Sequence, residues 1–158
     1  MNETTPTSDS PQVIAPPPFI FLSGIVVGVI LNLVKPAPFI PENLTLPLGV
    51  ALIIVAVFLV ATAIRAFRKA GTNVDVRKPA IHIVANGPYR LTRNPIYLSM
   101  VILVLGITVW VNTLWMLALL VPVLLIVQLG VIKREEAYLE RKFGQDYLTY
   151  KAKVRRWL

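Results

Sequence analysis

The stretch Ile81-His82-Ile83-Val84-Ala85-Asn86-Gly87-Pro88-Tyr89-Arg90-Leu91-Thr92-Arg93-Asn94-Pro95-Ile96-Tyr97 closes the longest polar interval between the hydrophobic runs of this chain, and it holds the only histidine. Gly87-Pro88 predicts a turn, because proline fixes φ and glycine supplies a permissive backbone. Pro95 stands at the mouth of the next apolar run and fits the first turn of a helix, where its missing N–H costs nothing. Between these points sit Tyr89, Arg90, Arg93 and Asn94, with Tyr97 just beyond. A plain connection needs no such concentration of aromatic and hydrogen-bonding side chains.

Outward from this interval lie four apolar runs. Phe19–Val34 and Leu46–Ile64 precede it, and Ile96–Val111 and Leu114–Ile132 follow. As helices they would span roughly 24–29 Å, enough for a bilayer core of ~30 Å when flanking residues snorkel. Of the 158 residues, 56% are hydrophobic and 15% charged, too little polar surface to solubilise four buried helices. The expected fold is an all-α integral membrane protein: four transmembrane helices, a cytoplasmic cofactor-binding loop and a C-terminal amphipathic interfacial helix. One membrane domain over residues 19–158 accounts for the chain, after a tail at residues 1–18.

That tail is rich in Thr, Ser and Pro and reads as disordered or extended. It carries no Lys or Arg before the first apolar run, unlike a cleaved signal peptide. Pro36-Ala37-Pro38-Phe39-Ile40-Pro41 cannot be helical and should cap the bundle on the non-cytoplasmic side. Gly24 and Gly28 form a small-xxx-small pair suited to close helix approach. Val111-Asn112-Thr113 permits only a hairpin, so the third and fourth helices should be antiparallel neighbours. Trp110 and Trp115 suit an interfacial belt there, and Pro122 is a candidate kink.

The net charge of +8 is unevenly placed. Arg65, Arg68, Lys69, Arg77, Lys78, Arg90 and Arg93 fall between the second and third runs. Eight more basic residues, Lys133 to Arg156, follow the fourth, and Lys35 alone lies elsewhere. This is the positive-inside pattern of a multi-pass membrane protein with both termini cytoplasmic, in a bacterial inner membrane or the endoplasmic reticulum, rather than a nucleic-acid surface. The absence of cysteine excludes disulfides, zinc thiolates and iron–sulfur clusters, and one histidine with few carboxylates argues against a metal site. Composition leaves the oligomeric state open.

The last segment, about residues 133–155, places Leu139, Phe143, Tyr147, Tyr150, Val154 and Trp157 at helical spacings of three and four. It continues the fourth helix or restarts it beyond Gly144, and reads as an amphipathic helix at the cytoplasmic interface. Glu135 shares the apolar face with Leu139. Glu136 shares its side with Glu140, as a solvated face making i,i+4 pairs.

Two blocks together, Gly87-Pro88-Tyr89 with Arg93-Asn94-Pro95-Ile96-Tyr97, then Glu135-Glu136, Leu139, Phe143-Gly144, Tyr147 and Tyr150, resemble the isoprenylcysteine carboxyl methyltransferase family and the wider group of small integral-membrane methyltransferases. The family pattern is roughly G-x-Y-x-x-x-R-H-P-x-Y, a hydrophobic hairpin, then E-E-x-x-L-x-x-x-F-G-x-x-Y-x-x-Y. The resemblance covers about residues 80–153. It implies S-adenosyl-L-methionine as cofactor and a lipophilic small-molecule or lipidated acceptor met at the bilayer. Carried over by position, it implies cofactor contacts at Ile81, His82, Ile83 and Val84, then Tyr89, then Asn94, Pro95, Ile96 and Tyr97, then Glu135. Two positions depart from it. Asn94 stands where the commoner motif has histidine. Val131 stands where prenylcysteine enzymes carry the arginine that serves the substrate carboxylate.

Methyl transfer from a sulfonium is an in-line displacement that depends on alignment more than on acid–base groups. No catalytic residue is therefore assigned, and Arg93 is the candidate, open between a lipid-phosphate contact, a structural role and a cofactor role. Asn94 can donate and accept hydrogen bonds but cannot become cationic. Glu135, a carboxylate at the membrane end of a helix, is costly without a cationic partner, which a sulfonium, an ammonium group or Arg93 would supply. No Gly-x-Gly-x-x-Gly follows a strand, so a Rossmann-type methyltransferase is unsupported. The expectation is S-adenosylmethionine-dependent methyl transfer to a lipophilic acceptor, like the isoprenylcysteine enzymes. Phospholipid N-methylation, small-thiol S-methylation, or a non-catalytic membrane role are the alternatives.

Overall fold

A computed structural model describes residues 9–75 and 77–158. Among them the regular secondary structure is all helical apart from one isolated bridge, Thr92 with Arg155. Helix α1 spans Pro17–Val34, α2 Glu42–Lys69, α3 Pro95–Val111 and α4 Leu114–Val127. A wide π-turn, Gln128–Ile132, carries α4 directly into α5, Lys133–Phe143, and α6 follows at Gln145–Lys153. A 3₁₀ turn at Gly87–Arg90 lies in the polar interval.

Helix α2 packs mainly on α3, and α1 on α4. Small residues face inward: the buried positions of α2 are Gly49, Ala56 and Ala63, one face at seven-residue spacing. A Cβ at Gly49 would lie 3.0 Å from the Gly106 carbonyl oxygen of α3, so the two backbones meet there. Gly24 and Gly28 leave room for α4, Gly24 against the Val123 side chain and Gly28 against Met116. Large apolar side chains point outward instead, with Phe58 70% and Ile54 and Val121 both 62% exposed. Small inside and large outside is the arrangement of helices whose solvent is lipid. Three elements are long and apolar enough to cross a membrane: Pro17–Val34, Glu42–Lys69 and the continuous Leu114–Phe143. The fourth, α3, is apolar but shorter, at 17 residues.

The proline connection and the hairpin close one end of the bundle. Asn112, in the left-handed region at φ 54°, accepts from Phe39 and Ile40 N–H and donates to the Ile40 carbonyl. Trp115 Nε1 donates to the Lys35 carbonyl at 2.7 Å. At the opposite end lie the polar interval, α5, α6 and residues 9–16.

Several expected boundaries move. Helix α2 runs from 42 to 69 rather than 46 to 64, because an apolar run marks lipid depth and not where backbone hydrogen bonding stops. Its last turn carries Arg68 and Lys69, cations suited to a helix C-terminus. Pro17 and Pro18 belong to α1, where the first turn needs no N–H from them. Residues 1–8 of the expected tail lie outside the described residues, and 9–16 lie against the bundle. Ile14 N–H bonds the Gly130 carbonyl at 3.2 Å, and Asp9 pairs with Lys142 and Tyr138. The segment expected as a helix over about 133–155, continuing the fourth helix or restarting beyond Gly144, does both: α5 continues α4, and Gly144, at φ 52° and ψ −125°, turns the chain before α6.

Candidate active site

The polar interval is built around Gly87, whose φ of 59° suits glycine, and around the 3₁₀ turn that follows. That turn buries Tyr89 beside Ala63 and Val84, with its ring edge-on to Phe67 at 5.3 Å. Upstream, the buried Thr72 hydroxyl accepts from Ile81 N–H at 2.8 Å and His82 N–H at 3.3 Å. Those two amides are spent within the protein, so Ile81 and His82 offer a ligand only their carbonyls and side chains. Downstream, Pro95 opens α3 and Tyr97 follows within its first turn.

Tyr97 donates its hydroxyl proton to Glu135 Oε1 at 2.7 Å, joining the start of α3 to the start of α5. The next residue, Glu136, is buried and accepts from Arg156 at 2.9 Å and 2.6 Å, with Arg93 Nη2 at 3.3 Å. Glu136 is therefore not on a solvated face. Glu140 pairs with Lys151 of α6 rather than with a residue one helical turn away. The cause is tertiary: beyond Gly144 the chain folds back and brings Lys151 and Arg156 onto α5.

These residues enclose a cavity of about 500 Å³. Arg93, Asn94, Tyr97, Glu135 and Glu136 line its floor, and Tyr89, Tyr147 and Tyr150 one wall. His82, Ile83 and Val84 line the loop side. Val60, Ile64, Ile96 and Met100 make an apolar flank, and Pro11, Pro16 and Pro17 complete the rim. Of the residues implied by the sequence, Ile81 is 53% exposed and outside the lining, and Pro95 is fully buried beneath it. The others come together around the cavity.

Asn94 is 8% exposed and its amide Nδ2 donates to the Arg156 carbonyl at 2.8 Å, so one of its two amide hydrogens is engaged. Arg93 has Nε and Nη1 buried without a hydrogen-bond partner among the described residues. Burial pushes the Tyr89 and Tyr147 phenols well up, with the Glu136 charge adding at Tyr147. Burial also raises Tyr150 to about 12, against the Arg93 charge, and its hydroxyl donates to the Tyr89 carbonyl at 2.8 Å. All three are protonated donors near neutral pH. The sequence placed Tyr147 and Tyr150 in the motif and on an apolar helical face, read Glu136 as solvated, and gave no role to Tyr138 or Arg156. Tyr138 accepts from Ala80 N–H at 3.1 Å and so ties the loop to α5.

The family model described as phospholipid methyltransferase matches residues 44–146, from α2 through the first residues of α6. The chain belongs to the phospholipid methyltransferase family. It is thus a membrane methyltransferase by family, and the match takes in every cavity residue named above except Tyr147, Tyr150 and the rim prolines. An uncharacterized protein of Haemophilus influenzae strain Rd is 49% identical to this methyltransferase over 63 residues, 39% of this chain and 98% of that protein. No solved structure matches it.

Proposed function

We propose that this protein transfers a methyl group from S-adenosylmethionine to a lipophilic acceptor at the cytoplasmic face of a membrane. The carrying observation is the contrast between neighbouring carboxylates. Glu136 faces two guanidiniums, whereas Glu135 is held by the neutral phenol of Tyr97. Glu135 thus has no cationic partner among the described residues, and a cationic ligand in this tyrosine-walled cavity would supply one. An unbonded donor of Arg93 suits a single carboxylate oxygen at the other end of such a ligand. An orphaned buried donor costs roughly 1–3 kcal/mol, so a carboxylate reaching Arg93 would relieve a real deficit.

The cofactor, when bound, supplies an electrophilic methyl group. The residues of this chain would then orient it: Glu135 at the cationic centre, Arg93 at the anionic end, Tyr89 and Tyr97 beside it, and His82–Val84 along the loop. The apolar flank of Val60, Ile64, Ile96 and Met100 would receive the acceptor's lipophilic part. Val131 is fully buried in the bundle core with Val127 and Ile132, so no cation stands there to hold an acceptor carboxylate. Selection therefore rests on the lipophilic part of the acceptor. In this reading all four apolar helices cross the bilayer, and the cavity end, with both termini, faces the cytoplasm.

Equilibrium binding of S-adenosylhomocysteine to the detergent-solubilised protein tests the cofactor half, with saturable binding expected. No binding would leave a non-catalytic membrane role. Transfer of labelled methyl groups into fractions of a lipid extract then identifies the acceptor.

A further inference from the structure

We infer that Arg156 is a positioning residue for the cofactor cavity, through which the carboxy-terminal residues lock the Arg93–Tyr97 segment against α5. After α6 the backbone becomes extended at Val154, and the last residues run beside that segment instead of out to solvent. Three consecutive residues there donate to two consecutive carbonyls. Arg93 N–H bonds the Arg155 carbonyl at 2.9 Å, and Thr92 Oγ1 and Asn94 Nδ2 bond the Arg156 carbonyl at 3.0 Å and 2.8 Å. The Arg156 guanidinium then grips both oxygens of Glu136 on α5.

The contacts close a ring. One end of the segment reaches α5 from Tyr97 to Glu135, and the other reaches Glu136 both from the Arg93 side chain at 3.3 Å and through the bidentate Arg156. A planar fork meeting a carboxylate on both oxygens fixes orientation as well as distance. The pair is mostly withdrawn from water, with side-chain exposures of 33% for Arg156 and 7% for Glu136. Arg156 lines no part of the cavity, yet Arg93, Asn94, Tyr97, Glu135 and Glu136 all do. Its effect on a ligand must therefore pass through them. This inference rests on the cofactor reading for its binding consequence, but not for the geometry of the lock.

The test uses the full-length protein in detergent, with Arg156→Gln, Arg156→Lys and the exposed control Lys153→Gln, which removes the same charge. Amide hydrogen exchange over residues 92–97 is measured without ligand, affinity by titration with S-adenosylhomocysteine, and initial rates as methyl transfer from S-adenosylmethionine into a lipid extract. Arg156→Gln should speed exchange at Arg93 and Asn94 and raise the Kd about ten-fold, leaving kcat at saturating cofactor within about two-fold. Arg156→Lys, which keeps the charge but loses the fork, should raise the Kd about three-fold. It decides the matter if the glutamine variant does not fold. Lys153→Gln should match wild type in every measurement. Unchanged exchange and Kd in the variant that folds would overturn the lock. So would a kcat loss with unchanged Kd, or the same effects from Lys153→Gln. A wild type that binds no S-adenosylhomocysteine would overturn the functional reading instead, and the exchange measurement would still decide the lock.

Discussion

Two adjacent carboxylates at the start of α5 meet different partners, a neutral phenol for Glu135 and two guanidiniums for Glu136, and their removal should be felt in different measurements. Glu136→Gln leaves Arg93 and Arg156 without a counter-charge in a largely buried site, and breaking such a pair costs about 3–5 kcal/mol. It should therefore appear as a marked drop in thermal midpoint. Glu135→Gln removes the charge kept for the ligand. A loss of ~2–5 kcal/mol from an interfacial charge pair corresponds to at least about 30-fold in Kd. S-adenosylmethionine titrations of both variants check this, and equal losses of affinity would reject the division of roles. Tyr150 gives a pH signature. Its phenol is raised to about 12, above the ordinary tyrosine value near 10. The stability it contributes is therefore full below about pH 10 and is lost as pH rises through about 12. Phenolate absorbance should lose a component near pH 12, and none near pH 10, in Tyr150→Phe.

At the scale of elements, the π-turn between α4 and α5 is where the amino-terminal segment is seated. Ile14 occupies the space a Cβ at Gly130 would need, with its Cγ1 at 2.7 Å from that position. Gly130→Ala should therefore displace residues 9–16 from the bundle, since overpacking a close contact typically costs about 1–3 kcal/mol. Limited proteolysis should cut that segment faster in Gly130→Ala, and Ile14→Ala in the same chain should restore protection. Failure of the second change to compensate would place the cause elsewhere in the π-turn. The α2–α3 contact tolerates still less. There the neighbours of Gly49 are Trp110 N and the Gly106 carbonyl, backbone atoms that no rotamer change can move aside.

For the whole molecule, the helix arrangement sorts the connections to two ends. Asn112 is bonded to residues 39 and 40 at one, and the basic polar interval, α6 and residues 9–16 gather at the other. Reporter fusions at Lys69 and at the C-terminus should both report cytoplasm, and fusions near Pro38 and Asn112 the opposite side. A cytoplasmic signal at Asn112 would reject four crossings and leave α3 as a helix that does not span.

The sequence by itself determined what depends on local chemistry. Pro95 opens α3 and Gly87 makes the turn before it, because fixed and permissive φ values act within a residue or two. The helical class followed from four apolar runs, since a lipid environment demands internally satisfied backbone. The gathering of Tyr89, Asn94, Tyr97 and Glu135 was legible only through the spacing of a family motif. What the tertiary structure decided is the electrostatics of the site. Glu136 looked solvated from its helical phase, yet its counter-charge Arg156 stands 20 residues away. The Asn94 amide likewise finds its acceptor 62 residues away. Neither partner is visible to periodicity, because a turn at Gly144 and an extended backbone at Val154 return the chain to the cavity. A charge's environment depends on which distant segment the fold sets against it, and helical phase reports only the neighbours on its own helix.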